Sequence, residues 1–268
     1  MDIGFLHPGL MGETLAANCA EPTVWVSEGR SEQTRARAAA NGMDEVASLS
    51  EMCGRCGVVV SICPPGAAVE VAQSVAATGF SGTYVDANAI SPDTAASINA
   101  LFDNYVDGSV IGPPAHKAGT TRLYLSGPQA GDVAALYDAS LIEAMVLNDS
   151  SSAASAIKMA YASWTKIGSA LHLAIRAFAA NEGVDEALVE EWNRSQPGLA
   201  DRSERIAAGV SPKAWRFTGE MEHIAAAFAD SGLPDGFAQA ALEVYNRLAH
   251  FKGATGTTLA DVTETLRA

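Results

Sequence analysis

No stretch of this 268-residue chain approaches the roughly 18 uninterrupted apolar residues that a membrane span requires. Nor does a basic leader precede an apolar run at the N-terminus, where Asp2 opens directly onto a strand-like segment. No secretory signal is therefore expected, and the cytoplasm is the expected compartment. Positive charge is scarce: 17 Lys and Arg against 31 Asp and Glu leave a formal net charge of −14. That balance argues against nucleic acid or an anionic membrane as a partner. Only five histidines occur, and His172, His223 and His250 fall on helical patterns without ligand spacing. The four cysteines are equally uninformative. Cys53-Gly-Arg-Cys56 lacks the two further ligands of a zinc site, and it precedes a strand where a redox pair opens a helix after one. It reads as a turn before Val58, and no metal is expected. The chain also has no phosphate-cradling Walker pattern, no legible Ser-His-Asp arrangement, no internal repeat and no low-complexity tract.

What it has is a strand, a glycine turn and a helix at its start. Ile3 to Leu6 is a short apolar run, His7-Pro8-Gly9 makes a turn, and Gly12 opens a small-residue helix. That order aims backbone N–H groups at one spot, where a pyrophosphate fits. His7 stands where the first glycine of G-x-G-x-x-G belongs, while Gly9 and Gly12 keep the other two places. Strand and helix then alternate at the spacing of a doubly wound sheet. Strands are expected at Thr23–Val26, Val58–Ile62, Thr83–Asp86, Tyr105–Ser109 and Arg122–Ser126. Helices follow from Gln33 to Asn41 and from Ala67 to Ala77, and Ser91-Pro92 starts another with a cap and a first-turn proline.

Near Asn148 the pattern changes. From Ser150 to Asn181 there is no proline, and apolar residues recur at three-to-four spacing. A helix of roughly 30 residues, about 45 Å long, is expected. Further helices are expected over Val184–Asn193, Leu199–Ala208, Trp215–Ala229 and Gly236–His250. The fold class is thus α/β, a Rossmann-type dinucleotide-binding domain over residues 1–148 followed by an all-α domain over 149–268. Ile157, Tyr161, Trp164 and Leu171 line one face of the long helix, and Met159, Ala170 and Leu173 another. One small domain covers only one such face, so a homodimer through the helical domain is expected.

These motifs, in this order, resemble the β-hydroxyacid dehydrogenase superfamily, which includes 6-phosphogluconate dehydrogenase and 3-hydroxyisobutyrate dehydrogenase. I-G-F-L-H-P-G-L-M-G is similar to that family's I-G-F-I-G-L-G-x-M-G. S-I-C-P-P-G-A-A resembles its proline turn over the cofactor. V-D-A-N-A-I-S-P resembles V-D-x-S-T-x-x-P, with Asn88 in place of a serine. V-D-G-S-V-I-G-P-P resembles the substrate loop D-A-P-V-S-G-G, with Ile111 and Pro113 replacing a serine and a glycine. S-A-A-S-A-I-K-M-A-Y resembles G-x-G-x-x-x-K-x-x-N, with Tyr161 for the asparagine. The resemblance implies Lys158 as the catalytic residue. It implies cofactor contacts from His7, Pro8, Gly9, Leu10, Met11, Gly12, Arg30, Ser31, Ile62, Cys63, Pro64 and Asn88, and substrate contacts from Ser109, Val110, Ile111, Gly112 and Tyr161. W-R-F-T-G-E-M-E-H-I-A looks like a helical domain of an uncharacterised branch, with the active site near the junction of two subunits.

The residues support this reading independently. A cation on an apolar helix face is costly, so the pKa of Lys158 is expected to be depressed toward neutrality, where it exchanges a proton with an alcohol or carbonyl. The alternative is a lysine whose stem is buried while its charge sits in water. Tyr161, one turn on, either donates to substrate or packs in the core. After the second strand, Arg30 and Ser31, with Thr34 and Arg35 placed to add to them, favour NADP, while Glu28 leaves NAD as the alternative. His116 and Lys117 follow the substrate loop, and Glu220 and Glu222 are candidates to reach a site across a dimer. The expected activity is hydride transfer between nicotinamide and a small hydroxy acid or ketone. Imine reduction, against which Lys158 weighs, and a non-catalytic dinucleotide-binding protein are the alternatives. A phosphorylated sugar acid would call for several arginines, and the loop offers only His116, Lys117 and Arg122.

Overall fold

The central strands are continuous apolar runs, the pattern of a sheet buried on both faces. In the computed structural model, which describes residues 1–268, β1 (Asp2–Leu6), β2 (Thr23–Val26), β3 (Asp44–Val46), β4 (Cys56–Ser61), β5 (Thr83–Asp86), β6 (Tyr105–Ile111), β7 (Thr121–Ser126) and β8 (Ile142–Val146) form one sheet in the order β3-β2-β1-β4-β5-β6-β7-β8. All neighbours are parallel except β6 and β7. Alternate residues supply two cores. Ile3, Phe5, Val58, Val60 and Val85 pack on one face, and Leu6, Val59, Tyr84 and Tyr105 on the other. Each large side chain so buried is worth about 1.5–3 kcal/mol.

Connecting helices are α1 (Gly12–Ala17), α2 (Glu32–Ala40), α3 (Leu49–Arg55), α4 (Ala68–Ala76), α5 (Pro92–Asn99) and α6 (Ala130–Ala135). Ser31 caps α2 by accepting from the Thr34 N–H, and Ser91 caps α5 by accepting from the Thr94 N–H, with Pro92 in the first turn. The stretch read as a turn before Val58 is α3, capped by Ser48, and Cys56 is the first residue of β4. Burial and the Asp2 charge hold the Cys56 thiol up at about 11, so it is not a reactive thiolate. Cys19 lies just beyond the end of the short α1.

The chain forms two compact units, Met1–Met159 and Ala160–Ala268. The division thus falls inside α7 (Ala153–Ala162) rather than at residue 148, because the first turns of α7 are fastened to the sheet, as described below. The expected long helix begins at Ala153, not Ser150, and reaches Asn181 as α7, a π-helical turn over 163–167 and α8 (Gly168–Asn181). The second unit is wholly helical, adding α9 (Asp185–Ser195), α10 (Leu199–Val210), α11 (Ala214–Asp230), α12 (Gly236–Leu248) and α13 (Leu259–Arg267). Within it, buried Arg176 makes a two-pronged pair with Asp185 at 2.6 and 2.7 Å. Glu220 is bound to Lys166 at 2.8 Å. Met159, Ala170 and Leu173 are buried, whereas Trp164, Leu171 and Phe178 are 70%, 59% and 67% exposed. No helix is long and apolar enough to cross a membrane.

Candidate active site

Parallel strands β1 and β4 lie side by side, and their helices leave to opposite flanks of the sheet. The crevice beyond their C-terminal ends is the switch point where α/β sheets bind ligands. The loop there is tight. The Gly9 N–H donates to the His7 carbonyl at 2.6 Å, and His7 takes a left-handed φ of 64°. The turn therefore keeps a glycine-like backbone without the glycine. Gly12 is indispensable to packing, since a Cβ there would lie 2.8 Å from Ile62 and 3.1 Å from the His7 carbonyl oxygen. A Cβ on Gly9 would meet nothing nearer than 3.9 Å, so that glycine leaves the outer side of the loop open. Pro8 is buried, Met11 packs on the core, and Leu10 is exposed.

The loop after β4 is set by Asn88. Its amide oxygen accepts from the Cys63 N–H at 2.6 Å, and its amide nitrogen donates to Ser61 Oγ at 3.1 Å. Asn88 thus holds the Cys63-Pro64 turn in place with both ends of its side chain. Burial raises the Cys63 thiol to about 11. Cys63 and Ile62 are half-buried and Pro64 is exposed.

Charges beyond β2 are mostly matched internally. Arg35 pairs with Glu45 and donates to the Ser27 carbonyl. Arg37 lies 3.6 Å from Glu13 and donates to the Pro8 carbonyl, bracing the loop. Ser31 and Thr34 serve the helix cap, and Glu28 is exposed. The Nε of Arg30 and the Nδ1 of His7, by contrast, are buried with no protein partner. Buried polar atoms of this kind call for a ligand or water. An open loop at a switch point, with two unmatched nitrogens beside it, fits a dinucleotide.

Lys158 reaches the same edge of the sheet from α7. Its Nζ donates to the Val110 carbonyl at 2.7 Å, near the end of β6. The helix is fixed by Asp107 on that strand, which accepts from the Ser155 N–H at 2.7 Å and from Ser155 Oγ at 2.6 Å. Ser126 Oγ donates to Asp107 at 3.3 Å and accepts from the Ala154 N–H at 3.1 Å. Asp107 is fully buried, and burial outweighs these bonds to lift its carboxyl to about 6. Sequence reasoning missed Asp107 as an anchor. The signal was present, because an acid midway along the buried run Y-V-D-G-S-V-I has no wet face to turn to.

The expected substrate residues are placed less uniformly. Ser109, Val110 and Ile111 are buried within β6, with the Ser109 hydroxyl lacking a protein partner, and Gly112 is exposed at its end. Beyond Gly112 the chain docks on α1. The Ala115 N–H donates to Thr14 Oγ1 at 3.1 Å, and Asn18 donates to the Ala115 carbonyl at 3.3 Å. The cofactor loop, the segment after β6 and Lys158 thus share one edge of the first unit. His116 and Lys117 are exposed, and Tyr161 belongs to the second unit, where it is 49% exposed.

Comparison with known proteins bears on this geometry. Residues 179–248 match a domain of unknown function, DUF1932. MTH1747, a conserved protein of unknown function with structural similarity to 3-hydroxyacid dehydrogenases, superposes with a TM-score of 0.75 at 26% identity over 94% of this chain and 98% of its own. A 3-hydroxyisobutyrate dehydrogenase from Mycobacterium tuberculosis gives 0.73 at 18% identity over 100% of this chain and 99% of its own. The chain thus shares the fold of the β-hydroxyacid dehydrogenase-like proteins. Its helical unit carries the DUF1932 match. The superfamily fold is shared more distantly by a reductive aminase from Aspergillus terreus, solved in complex with NADPH4, cyclohexanone and allyl amine, with a TM-score of 0.55 at 17% identity over 99% of each chain. No curated protein matches the sequence.

Proposed function

We propose that this protein is an NADP(H)-dependent oxidoreductase acting on a small hydroxy acid or its carbonyl counterpart, with Lys158 as the proton-transferring residue. The observation that carries the reading is Lys158 Nζ held 2.7 Å from the Val110 carbonyl, at the sheet edge that also bears the cofactor loop. Likeness to a protein with structural similarity to 3-hydroxyacid dehydrogenases, and in fold to a reductive aminase solved with NADPH4, supports a nicotinamide-dependent oxidoreductase.

When bound, the nicotinamide supplies or accepts a hydride. The loop from His7 to Gly12 and the turn held by Asn88 would hold the dinucleotide, and Arg30 would face its ribose phosphate. A lysine in this position gives a proton to the carbonyl oxygen as hydride reaches the carbon, or takes the hydroxyl proton in the reverse direction. The Val110 carbonyl fixes the direction of Nζ, so the amine is aimed before substrate arrives. The exposed apolar stripe of Trp164, Leu171 and Phe178 supports a homodimer through the helical unit.

The test is turnover with NADPH over small β-hydroxy acids, the matching aldehydes and ketones, and a cyclic imine. Lys158→Ala should remove at least 100-fold of kcat, in the range for a lost acid–base group, while the NADPH Kd stays within twofold. Full activity in that variant would overturn the role of Lys158. Turnover of the imine alone would overturn the substrate class.

A further inference from the structure

We propose that His7 is a specificity-determining residue that, together with Arg30, holds the ribose 2′-phosphate of the cofactor. This rests on the NADP(H) reading above and deepens it. His7 follows β1 directly, at the position where the fold's phosphate loop asks for a glycine, and it holds the left-handed φ of 64° that glycine adopts without strain. Among the non-glycine residues only His7 and Ala139 take a positive φ. A side chain kept in such a conformation at a ligand crevice points to a use for that side chain.

The surroundings identify the use. The Nδ1 of His7 is buried with no protein partner, and so is the Nε of Arg30, which follows β2, the strand paired with β1. The Arg30 charge acts on the His7 ring. Burial first, and then that charge, lower the imidazole to about 4, so the ring is neutral at physiological pH and carries one N–H. The other two arginines of this corner are matched already, Arg35 by Glu45 and Arg37 by Glu13. A neutral donor after β1 and a guanidinium with an unmatched Nε after the adjacent β2 suit one ligand chemistry: a phosphate monoester, which offers several acceptor oxygens to both. Ordinary ribose hydroxyls do not require the guanidinium, and an acid in its place would serve them better.

The experiment measures Kd for NADPH and NADH by nucleotide fluorescence, and for 2′-phospho-AMP and AMP by calorimetry, in the wild type, His7→Gly, His7→Asn and Arg30→Ala. Glycine suits the backbone at this position, so His7→Gly should melt no lower than the wild type without ligand, which separates a lost contact from a lost fold. It should weaken NADPH and 2′-phospho-AMP about tenfold, the factor expected for one hydrogen bond to a charged group, and leave NADH and AMP within twofold. Asparagine tolerates the left-handed backbone and offers a shorter donor, so His7→Asn should fall between. Arg30→Ala should lose at least as much NADPH affinity as His7→Gly. Equal losses for both cofactors in His7→Gly, or none, would overturn the assignment of His7 while leaving the NADP(H) reading intact. A wild type that binds NADH as well as NADPH would overturn both, as would one that binds neither.

Discussion

Across four adjacent strands, Ser61, Asp86, Asp107 and Ser126 stand in register, and all four are completely buried. Two of them are acids on neighbouring strands. Asp86 accepts one bond, from the Asn88 N–H at 2.9 Å, and its Oδ2 has no protein partner. Burial, with the Asp107 charge adding to it, raises its carboxyl from 3.8 to about 7. An acid whose pKa is higher in the folded chain binds protons there that the unfolded chain has already released. Stability therefore falls as pH rises from about 4 to about 7, and the full penalty is present above that window. A shift of about three units corresponds to roughly 4 kcal/mol. Asp86→Asn removes the charge and keeps an acceptor for the Asn88 N–H, but its amide N–H groups sit where Oδ2 lacks a partner, at a cost of about 1–3 kcal/mol. The variant should thus be about 1–3 kcal/mol more stable than the wild type at pH 8. At pH 5, about one unit into that window, only about 1.5 kcal/mol of the penalty is present, so the variant should be about 2–3 kcal/mol less favoured relative to the wild type there than at pH 8. Urea denaturation at the two pH values reads both differences. A variant equally destabilised at pH 5 and pH 8 would show that Asp86 carries its charge without penalty, and the reasoning would fail.

Two other substitutions follow from the packing. Gly112 has a φ of 129°, and a Cβ there would lie 2.2 Å from the Thr120 carbonyl oxygen; Gly112→Ala should cost about 3 kcal/mol or more, read as a lowered urea midpoint at unchanged slope. Leu171, 59% exposed on the same stripe as Trp164 and Phe178, should tolerate Glu in a monomer but not at an apolar interface, so Leu171→Glu should convert a dimer to a monomer by light scattering at micromolar concentration. A wild type that is monomeric there would refute the homodimer.

How far the sequence disclosed this molecule depended on whether a residue's surroundings are local. Strands β1, β2, β4, β5 and β7 were legible because their apolar runs are bounded by turns, and the capped starts of α2 and α5 because Ser31 and Ser91 act on residues three positions on. The edge strand β3 was not, since Asp44-Glu45-Val46 buries only its valine. Strand β8 was missed for a related reason, with Met145 and Val146 open to solvent. Helix α3 was hidden by its Cys-Gly-Arg-Cys ending, and the π-helical turn over 163–167 by apolar residues on both faces of the long helix. In the candidate site, Lys158, Asn88 and the loop glycines stand out in the sequence through their motifs. The roles of Asp86, Asp107 and Ser155 do not, because their partners lie as far as 48 positions away.

The departures from the family pattern are then best understood through what replaces them. The resemblance sets glycines ahead of the catalytic lysine, and this chain has Ser152 and Ala154 instead. A helix start without those glycines still needs its first N–H groups satisfied in a buried place. Asp107 and Ser126, both on strands, accept from Ser155 and Ala154 and do that work. Three residues beyond Asp107, the Val110 carbonyl takes the lysine amine. One strand, β6, therefore fixes both the start of α7 and the direction of its functional group. At the other end of the crevice, His7 substitutes for a glycine yet retains the glycine backbone. In both places the replaced residues leave the geometry standing and bring a polar group to it.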